Sequence, residues 1–442
     1  MSHELGKQLI KKKKFKEALQ FFKNILQKKP GDLRANFQIG KIYYDLNDIE
    51  KSIFFFEKSD QIQPKNPNIL FNLALSLQSV GKIKEAEEKY LNLISINPKD
   101  VKSYYGLFFL NSKNITPEYL KRLKTLIEDR STSQFEKSLI NFIFSKIEKK
   151  KGKIEEEINF LNLSQQGCLK ANLIYNQQSN FYYKKIISKC CHDIKFKEQF
   201  KIIKEFNLAK HIFIIGLPRS GSSLVETIIT HNSNNIISVG EFHGVNTSIL
   251  DQIGKIIYSE NFDIKNYKIE INKKLFQESL LEKYFNFEKN IFLDKSLENF
   301  FNLELILEFF PNAKIIHTYR NIKDAVIGIY QTMLPELSWT HRIKDIIEYI
   351  NLYQQTIKYF KKKYPNNIID VELSDLTKNK EEKTKNILDF CEIKMKEDFL
   401  DFDKNKNLFN KTNSFLQVRN KIKKYEVNKY QPYYYLIDNF EL

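Results

Sequence analysis

The stretch His211-Ile-Phe-Ile-Ile-Gly-Leu-Pro-Arg-Ser-Gly-Ser-Ser-Leu224 reads as a buried strand, a glycine loop and the first turn of a helix. The spacing Gly216-x-x-x-x-Gly221 is that of a loop that cradles phosphate. Such a loop aims backbone N–H groups and a helix N-terminus at an anion. Ser222 stands where a nucleoside triphosphatase carries its lysine, and Arg219 lies inside the loop. A loop without that lysine suits a phosphate-containing donor other than a magnesium triphosphate.

Working outward, short apolar runs alternate with helical patterns from about residue 206. Strands are expected at Ile212–Ile215, Ile291–Leu293, Lys314–Thr318 and Ile368–Val371, and a further apolar stretch, Ile236–Val239, precedes Gly240-Glu241. Helices are expected at Ser222–Thr230, Phe300–Phe309, Lys323–Thr332, Ile346–Lys363 and Glu381–Phe390. Strands alternating with helices give a mainly parallel sheet with helices on both faces. Ligands of such sheets bind beyond the carboxyl ends of the strands. The loop, Asp294-Lys295 and Arg320 all follow predicted strands, so they are expected to converge on one crevice.

The N-terminal third has a different grammar. Pro30, Pro64 and Pro98 recur every 34 residues, as do the small residues Ala18, Ser52 and Ala86. Phe22, Phe56 and Tyr90 keep the same register, and Gly40 and Ala74 form another small pair. This is the period of the tetratricopeptide repeat, a two-helix unit whose small residues let paired helices approach. Stacked units make a concave surface that can hold a peptide or a partner protein, or can simply brace the next domain. Residues 113–205 keep a helical pattern without the period, and the run Glu148–Lys153 reads as a solvated turn. The expected organisation is helical repeats over 1–112, a helical connector or degenerate repeats over 113–205, and an α/β domain of phosphate-loop type over 206–442.

Composition narrows the class. The 442 residues are 42% hydrophobic and 28% charged, as in a globular protein. The formal net charge of +17 favours an anionic ligand, although abundant Lys, Asn and Ile also reflect an AT-rich coding sequence. No nucleic-acid recognition module accompanies the charge, so no nucleic-acid partner is expected. No apolar run reaches the roughly 18 residues of a membrane span, and the N-terminus has no apolar signal core. Cys168, Cys190, Cys191 and Cys391 make neither a CxxC pair nor a metal spacing. A reducing, cytoplasmic setting is expected.

The loop Gly216-Leu-Pro-Arg-Ser-Gly-Ser-Ser223 resembles the donor loop of the sulfotransferase superfamily. The run Phe310-Pro-Asn-Ala-Lys-Ile-Ile-His-Thr-Tyr-Arg-Asn-Ile-Lys-Asp324 carries the same resemblance. With Val239-Gly-Glu-Phe242, Asp294-Lys-Ser-Leu-Glu-Asn-Phe300, Gln417-Val-Arg419 and the repeats, the chain looks like the tetratricopeptide-repeat sulfotransferases, relatives of the protein-tyrosine sulfotransferases. The resemblance implies transfer of a sulfuryl group from 3′-phosphoadenosine 5′-phosphosulfate to an acceptor hydroxyl, with no metal. The acceptor it leaves open: a protein tyrosine, a peptide, a carbohydrate or a small molecule.

By that resemblance Arg219, Ser220, Gly221, Ser222 and Ser223 bind the 5′-phosphosulfate, and Arg219 also stabilises the transferring group. Glu241 is the general base, with His243 as the competing base. Lys295 binds the oxygen bridging phosphate and sulfate, where charge grows as the bond breaks. Arg320 takes the 3′-phosphate, and Arg419 reaches a phosphate from the closing segment. The chain departs from the family at Gly328, where a serine is usual eight residues after the arginine, at Leu373, where a tyrosine is usual near the adenine, and at Tyr430, where a tryptophan is common. Thr332 is a candidate replacement for the serine hydroxyl. Those departures motivate an alternative: a repeat scaffold with a weakly active or inactive sulfotransferase-like domain. A kinase-like reading fails on the missing lysine.

Overall fold

The structure, a computed structural model, describes residues 3–197, 210–265, 267–283, 291–401 and 422–440. Of these, 3–176 and 331–342 form one compact unit and the rest form a second.

The first unit is helical. Its repeats run through α1 (Glu4–Lys11), α2 (Phe15–Lys28), α3 (Leu33–Asp45), α4 (Ile49–Ile62), α5 (Pro67–Ser79), α6 (Ile83–Ile96) and α7 (Val101–Leu110). Pro30, Pro64 and Pro98 each stand just past the end of α2, α4 and α6, where proline cannot continue a helix. A second period-34 series caps the next helix. Asp32 accepts from the Ala35 N–H at 2.9 Å and Asn66 from the Asn68 N–H at 3.0 Å. Phe22, Phe56 and Tyr90 are fully buried, a burial of about 2–3 kcal/mol each. Each ring lies against a helix at a position with no side chain. A methyl group at Gly6 would come within 2.3 Å of Phe22, one at Gly40 within 2.8 Å of Phe56, and one at Gly106 within 2.4 Å of Tyr90.

Helices α8 (Pro117–Glu128), α9 (Gln134–Lys150) and α10 (Ile154–Ala171) group with the repeats rather than standing apart from them. Only residues 151–153 of the basic run form the exposed turn between α9 and α10, with Gly152 at φ 75°, whereas residues 148–150 are the end of α9. Segment 331–342 packs into the same unit. Lys146 donates to the Gln331 carbonyl at 2.6 Å, and Lys149 to the Gln331 side chain at 2.7 Å. Gln165 donates to the Thr332 carbonyl at 3.2 Å and pairs with His341 at 2.8 Å. Trp339 is buried within this segment.

The second unit is built on five parallel strands: β1 (Lys210–Gly216), β2 (Ile236–Gly240), β3 (Ile291–Asp294), β4 (Lys314–Tyr319) and β5 (Ile368–Glu372). Their order in the sheet is β2-β3-β1-β4-β5. Ile212 and Ile214 of β1 join Val225, Ile228 and Ile229 of the following helix, Leu293, Ile316 and Val371 in one buried cluster. The register pairs Gly216 with Thr318, Gly240 with Asp294 and Tyr319 with Glu372. The ends of all five strands therefore lie along one edge, the carboxyl edge of a parallel sheet.

Candidate active site

The glycine loop leaves β1 at Gly216, whose φ of 143° and whose approach to the Thr318 carbonyl exclude a side chain: a methyl group there would lie 2.2 Å from that oxygen. Arg219 takes a left-handed φ of 68° and Gly221 one of 94°, the latter capping the helix Ser222–Asn232. Such alternation turns backbone N–H groups toward a common concavity. Ser220 is committed to the loop itself, its hydroxyl donating to the Leu217 carbonyl at 2.6 Å and meeting the Thr318 hydroxyl at 2.8 Å. Ser222 and Ser223 are buried in the first turn of the helix. Leu373, at the start of the helix Leu373–Lys378, presses on the loop, with its Cδ1 2.8 Å from where a Gly221 methyl would stand.

The sheet edge brings Lys295 to two carboxylates. Lys295, 1% exposed, donates to Glu241 Oε1 at 2.9 Å and stands 3.4 Å from Glu226 Oε2. Glu226 lies on the loop helix and is held by the Ser238 hydroxyl at 2.5 Å. A bulge in β2 between Ser238 and Gly240 precedes Glu241, and the Lys295 N–H donates to the Gly240 carbonyl at 3.0 Å. Burial works against the charge on Lys295, but the two carboxylates outweigh it and raise its pKa. Burial likewise opposes ionisation of Glu241, yet the Lys295 charge and hydrogen bond hold its carboxyl below the ordinary value. Glu241 itself faces solvent, 43% exposed, so a substrate can reach it.

His243 is tied elsewhere. Its Nδ1 meets the buried carboxylate of Glu298, and its N–H donates to the Ser296 hydroxyl at 2.8 Å. Burial alone would lower its pKa, but Glu298, by charge and hydrogen bond, lifts it to about 9. A ring that keeps its proton at neutral pH is a poor base, which leaves Glu241 the better placed of the two.

Arg320 follows β4 and is 6% exposed. Its Nη1 donates to the Arg219 carbonyl at 3.0 Å and its Nη2 to the Tyr425 hydroxyl. Asp324 stands 3.6 Å away. The guanidinium lies between two aromatic rings, 4.8 Å from the centre of Tyr425 and 4.9 Å from that of Tyr430. Burial above all pushes the Arg219 guanidinium below its usual pKa; Tyr430 opposes this, and Arg320 adds a smaller lowering. A buried cation of this kind is the environment a phosphate dianion relieves.

Residues 211–397 match the model described as Sulfotransferase family, and residues 9–57 match the one described as Tetratricopeptide repeat. The chain carries a sulfotransferase-family domain behind tetratricopeptide repeats. The matched stretch of this sulfotransferase domain contains the loop, Glu241, Lys295 and Arg320. Over 389 residues the chain is 25% identical to an uncharacterized protein of Aquifex aeolicus (strain VF5), covering 84% of this chain and 49% of that protein. The chain thus spans about half the length of the curated relative it matches. Among solved structures, MamA is 16% identical, with a TM-score of 0.32 over 38% of this chain and 96% of MamA. The sulfotransferase STF1 of Mycobacterium tuberculosis H37Rv is 10% identical, with a TM-score of 0.32 over 65% of this chain and 92% of its own.

Several residues of the sulfotransferase domain depart from the sequence reading. The helix that carries Gly328 ends at Tyr330, so Thr332 is not one turn further along it; Thr332 belongs to the first unit. Gln417, Val418 and Arg419 lie outside the described residues. Glu226, Glu298 and Asp324 take no role in the sequence reading, although Glu298 and Asp324 lie within the quoted motifs. Glu226 meets Lys295, Glu298 meets His243, and Asp324 meets Tyr425 and Tyr434, all distant in sequence. Among the described residues no cluster of three or more metal-ligating side chains occurs, and no helix is long and apolar enough to cross a membrane.

Proposed function

We propose that the chain is a sulfotransferase using 3′-phosphoadenosine 5′-phosphosulfate as donor and a hydroxyl as acceptor. The observation that carries this reading is the Glu241–Lys295 pair at the carboxyl edge of the sheet, tied through Glu226 to the helix that the glycine loop opens. The residues present suit such a donor. The loop offers backbone N–H groups and the serines of a helix start to one phosphate, Arg219 and Arg320 offer guanidiniums, and Arg320 Nε is buried with no partner among the described residues.

In the transfer the acceptor oxygen attacks sulfur while the bond from sulfur to the 5′-phosphate oxygen breaks. Glu241, held ionised by Lys295, accepts the hydroxyl proton. Lys295 and Arg219 stabilise the negative charge that collects on the departing phosphate oxygen. The products are a sulfate ester and adenosine 3′,5′-bisphosphate. Protein cations fill the role that magnesium fills for triphosphates.

A protein tyrosine is the acceptor we favour, because repeat surfaces of this kind hold polypeptides. The four buried free cysteines support a reducing, cytoplasmic setting. The test is incubation of the full chain with sulfur-labelled donor and a panel of tyrosyl peptides, phenols and sugars. Label on the peptides is expected. No label on any hydroxyl, with no binding of adenosine 3′,5′-bisphosphate, overturns the reading in favour of the repeat scaffold.

A further inference from the structure

The C-terminal segment 422–440 returns to Arg320 with three tyrosines. Tyr425 donates to Asp324 and receives the Arg320 Nη2 hydrogen bond. Tyr434 donates to the other Asp324 oxygen at 2.6 Å. Asp324, 2% exposed, is thus satisfied by two hydroxyls and a nearby guanidinium. Tyr430 is different. It is 7% exposed, its ring covers the Arg320 guanidinium, and its hydroxyl points to Gly328.

Gly328 and Tyr430 are matched in volume. A methyl group at position 328 would stand 3.3 Å from the Tyr430 hydroxyl and 3.5 Å from Arg320 Nη1. A side chain there would therefore compete with that hydroxyl for the space beside the guanidinium. Without one, the hydroxyl takes the space. Gly328 is inside a helix and needs no unusual backbone, so the Tyr430 hydroxyl is what a side chain there would crowd first.

The surroundings favour an anion. Arg320 reaches the Arg219 carbonyl, Arg320 Nε has no partner among the described residues, and Lys323 and Lys429 lie over the Tyr434 and Tyr430 rings at 5.5 and 5.4 Å. Asp324 offsets one charge, that of Arg320, and leaves Arg219, Lys323 and Lys429. A hydroxyl beside a guanidinium with an unused N–H is a two-part anchor for a phosphate monoester.

Resting on the donor reading above, we propose that Tyr430 is a donor-binding residue: its hydroxyl, over Gly328 and beside Arg320, donates to the 3′-phosphate. Tyr430 takes the hydrogen-bonding role of a side-chain hydroxyl that the helix itself does not carry, and the C-terminal segment completes the nucleotide site. Gly328 and Tyr430 then form one unit in which each residue explains the other.

The experiment is calorimetric titration of the full chain with adenosine 3′,5′-bisphosphate and with adenosine 5′-monophosphate, which lacks the 3′-phosphate. Tyr430→Phe is expected to weaken the bisphosphate roughly tenfold, as loss of a hydrogen bond to a charged group does, and to leave the monophosphate unchanged. Gly328→Ser in the Tyr430→Phe background is expected to recover most of the loss. Equal weakening of both nucleotides, which a merely structural tyrosine would give, overturns the proposal. So does bisphosphate binding that Tyr430→Phe leaves intact, and in that case the donor reading stands. A wild-type chain that binds no bisphosphate overturns the donor reading, and this proposal with it.

Discussion

In the repeats a glycine makes room for a ring, whereas in the loop after β1 a glycine sets the direction of the chain. Gly40 sits within a helix, and what a methyl group would meet is the Phe56 ring, the movable end of a side chain. Gly216 and Gly221 have φ of 143° and 94°, and what a methyl group at Gly216 would meet is the Thr318 carbonyl, part of a sheet that cannot yield. The repeat helices use the smallest residue for volume and so for stability. The loop uses it for backbone geometry and so for the site. Substitutions should separate the two: stability without chemistry in the first unit, chemistry beyond stability in the second.

The sharpest break should come at the carboxylate and lysine of the second unit. Glu241→Gln keeps the shape and removes the base, and kcat is expected to fall between about a hundredfold and ten-thousandfold. Lys295→Met removes the cation beside the leaving oxygen, and a fall of roughly a hundredfold to a thousandfold is expected. Lys295→Met also strands Glu226 and Glu241, so its thermal midpoint is expected to drop, while Glu241, largely exposed, should tolerate its change. Rapid-quench turnover beside a melting curve checks both. Full turnover in either variant would remove these residues from the chemistry. The acid limb of kcat in the wild-type chain should lie below pH 4.5, because Lys295 holds Glu241 below that ordinary value.

The glycines come next. Gly221→Ala forces a side chain into a left-handed position and against Leu373, and affinity for adenosine 3′,5′-bisphosphate is expected to fall roughly tenfold or more. Gly40→Ala crowds Phe56, a cost of about 1–3 kcal/mol in denaturant unfolding, with bisphosphate affinity unchanged. Loss of affinity in Gly40→Ala would erase the distinction between the units.

What the sequence made legible follows the same line. The 34-residue period was visible because each repeat solves one packing problem with the same residues, Phe22, Phe56 and Tyr90 against small partners. Gly6, one period before Gly40, belongs to the same series. Of the five strands, β1 and β4 are buried apolar runs, and the loop glycines announce a backbone requirement. Strand order was not legible, since β3 slips between β2 and β1 through pairings of distant segments. The site was half legible for the same reason. Glu241, Lys295 and Arg320 follow strands, where topology leads to one edge. Glu226 reaches Lys295 and Tyr430 reaches Gly328 only in three dimensions. The grouping of segment 331–342 with α9 and α10 also rests on contacts such as Gln165 with His341, between residues with no shared pattern.

The smallest effect tests a charged pair at this edge assigned no part in the chemistry, His243 with Glu298. His243 is raised from an ordinary 6.5 to about 9 by Glu298, against the opposing pull of burial. A folded-state value above the unfolded one means that the pair stabilises fully below pH 6.5 and is lost as pH rises through 9. The ring is 39% exposed and screened by solvent, so the contribution is expected to be about 1 kcal/mol or less. His243 also has a left-handed φ of 58°, and asparagine tolerates that region better than most residues. In His243→Asn the backbone is kept while the titrating group goes. The thermal midpoint of the wild-type chain should fall between pH 6.5 and 9 more steeply than that of His243→Asn. Identical slopes would mean that Glu298 does not hold the proton on His243, and the ring would again compete with Glu241 for the acceptor's hydroxyl.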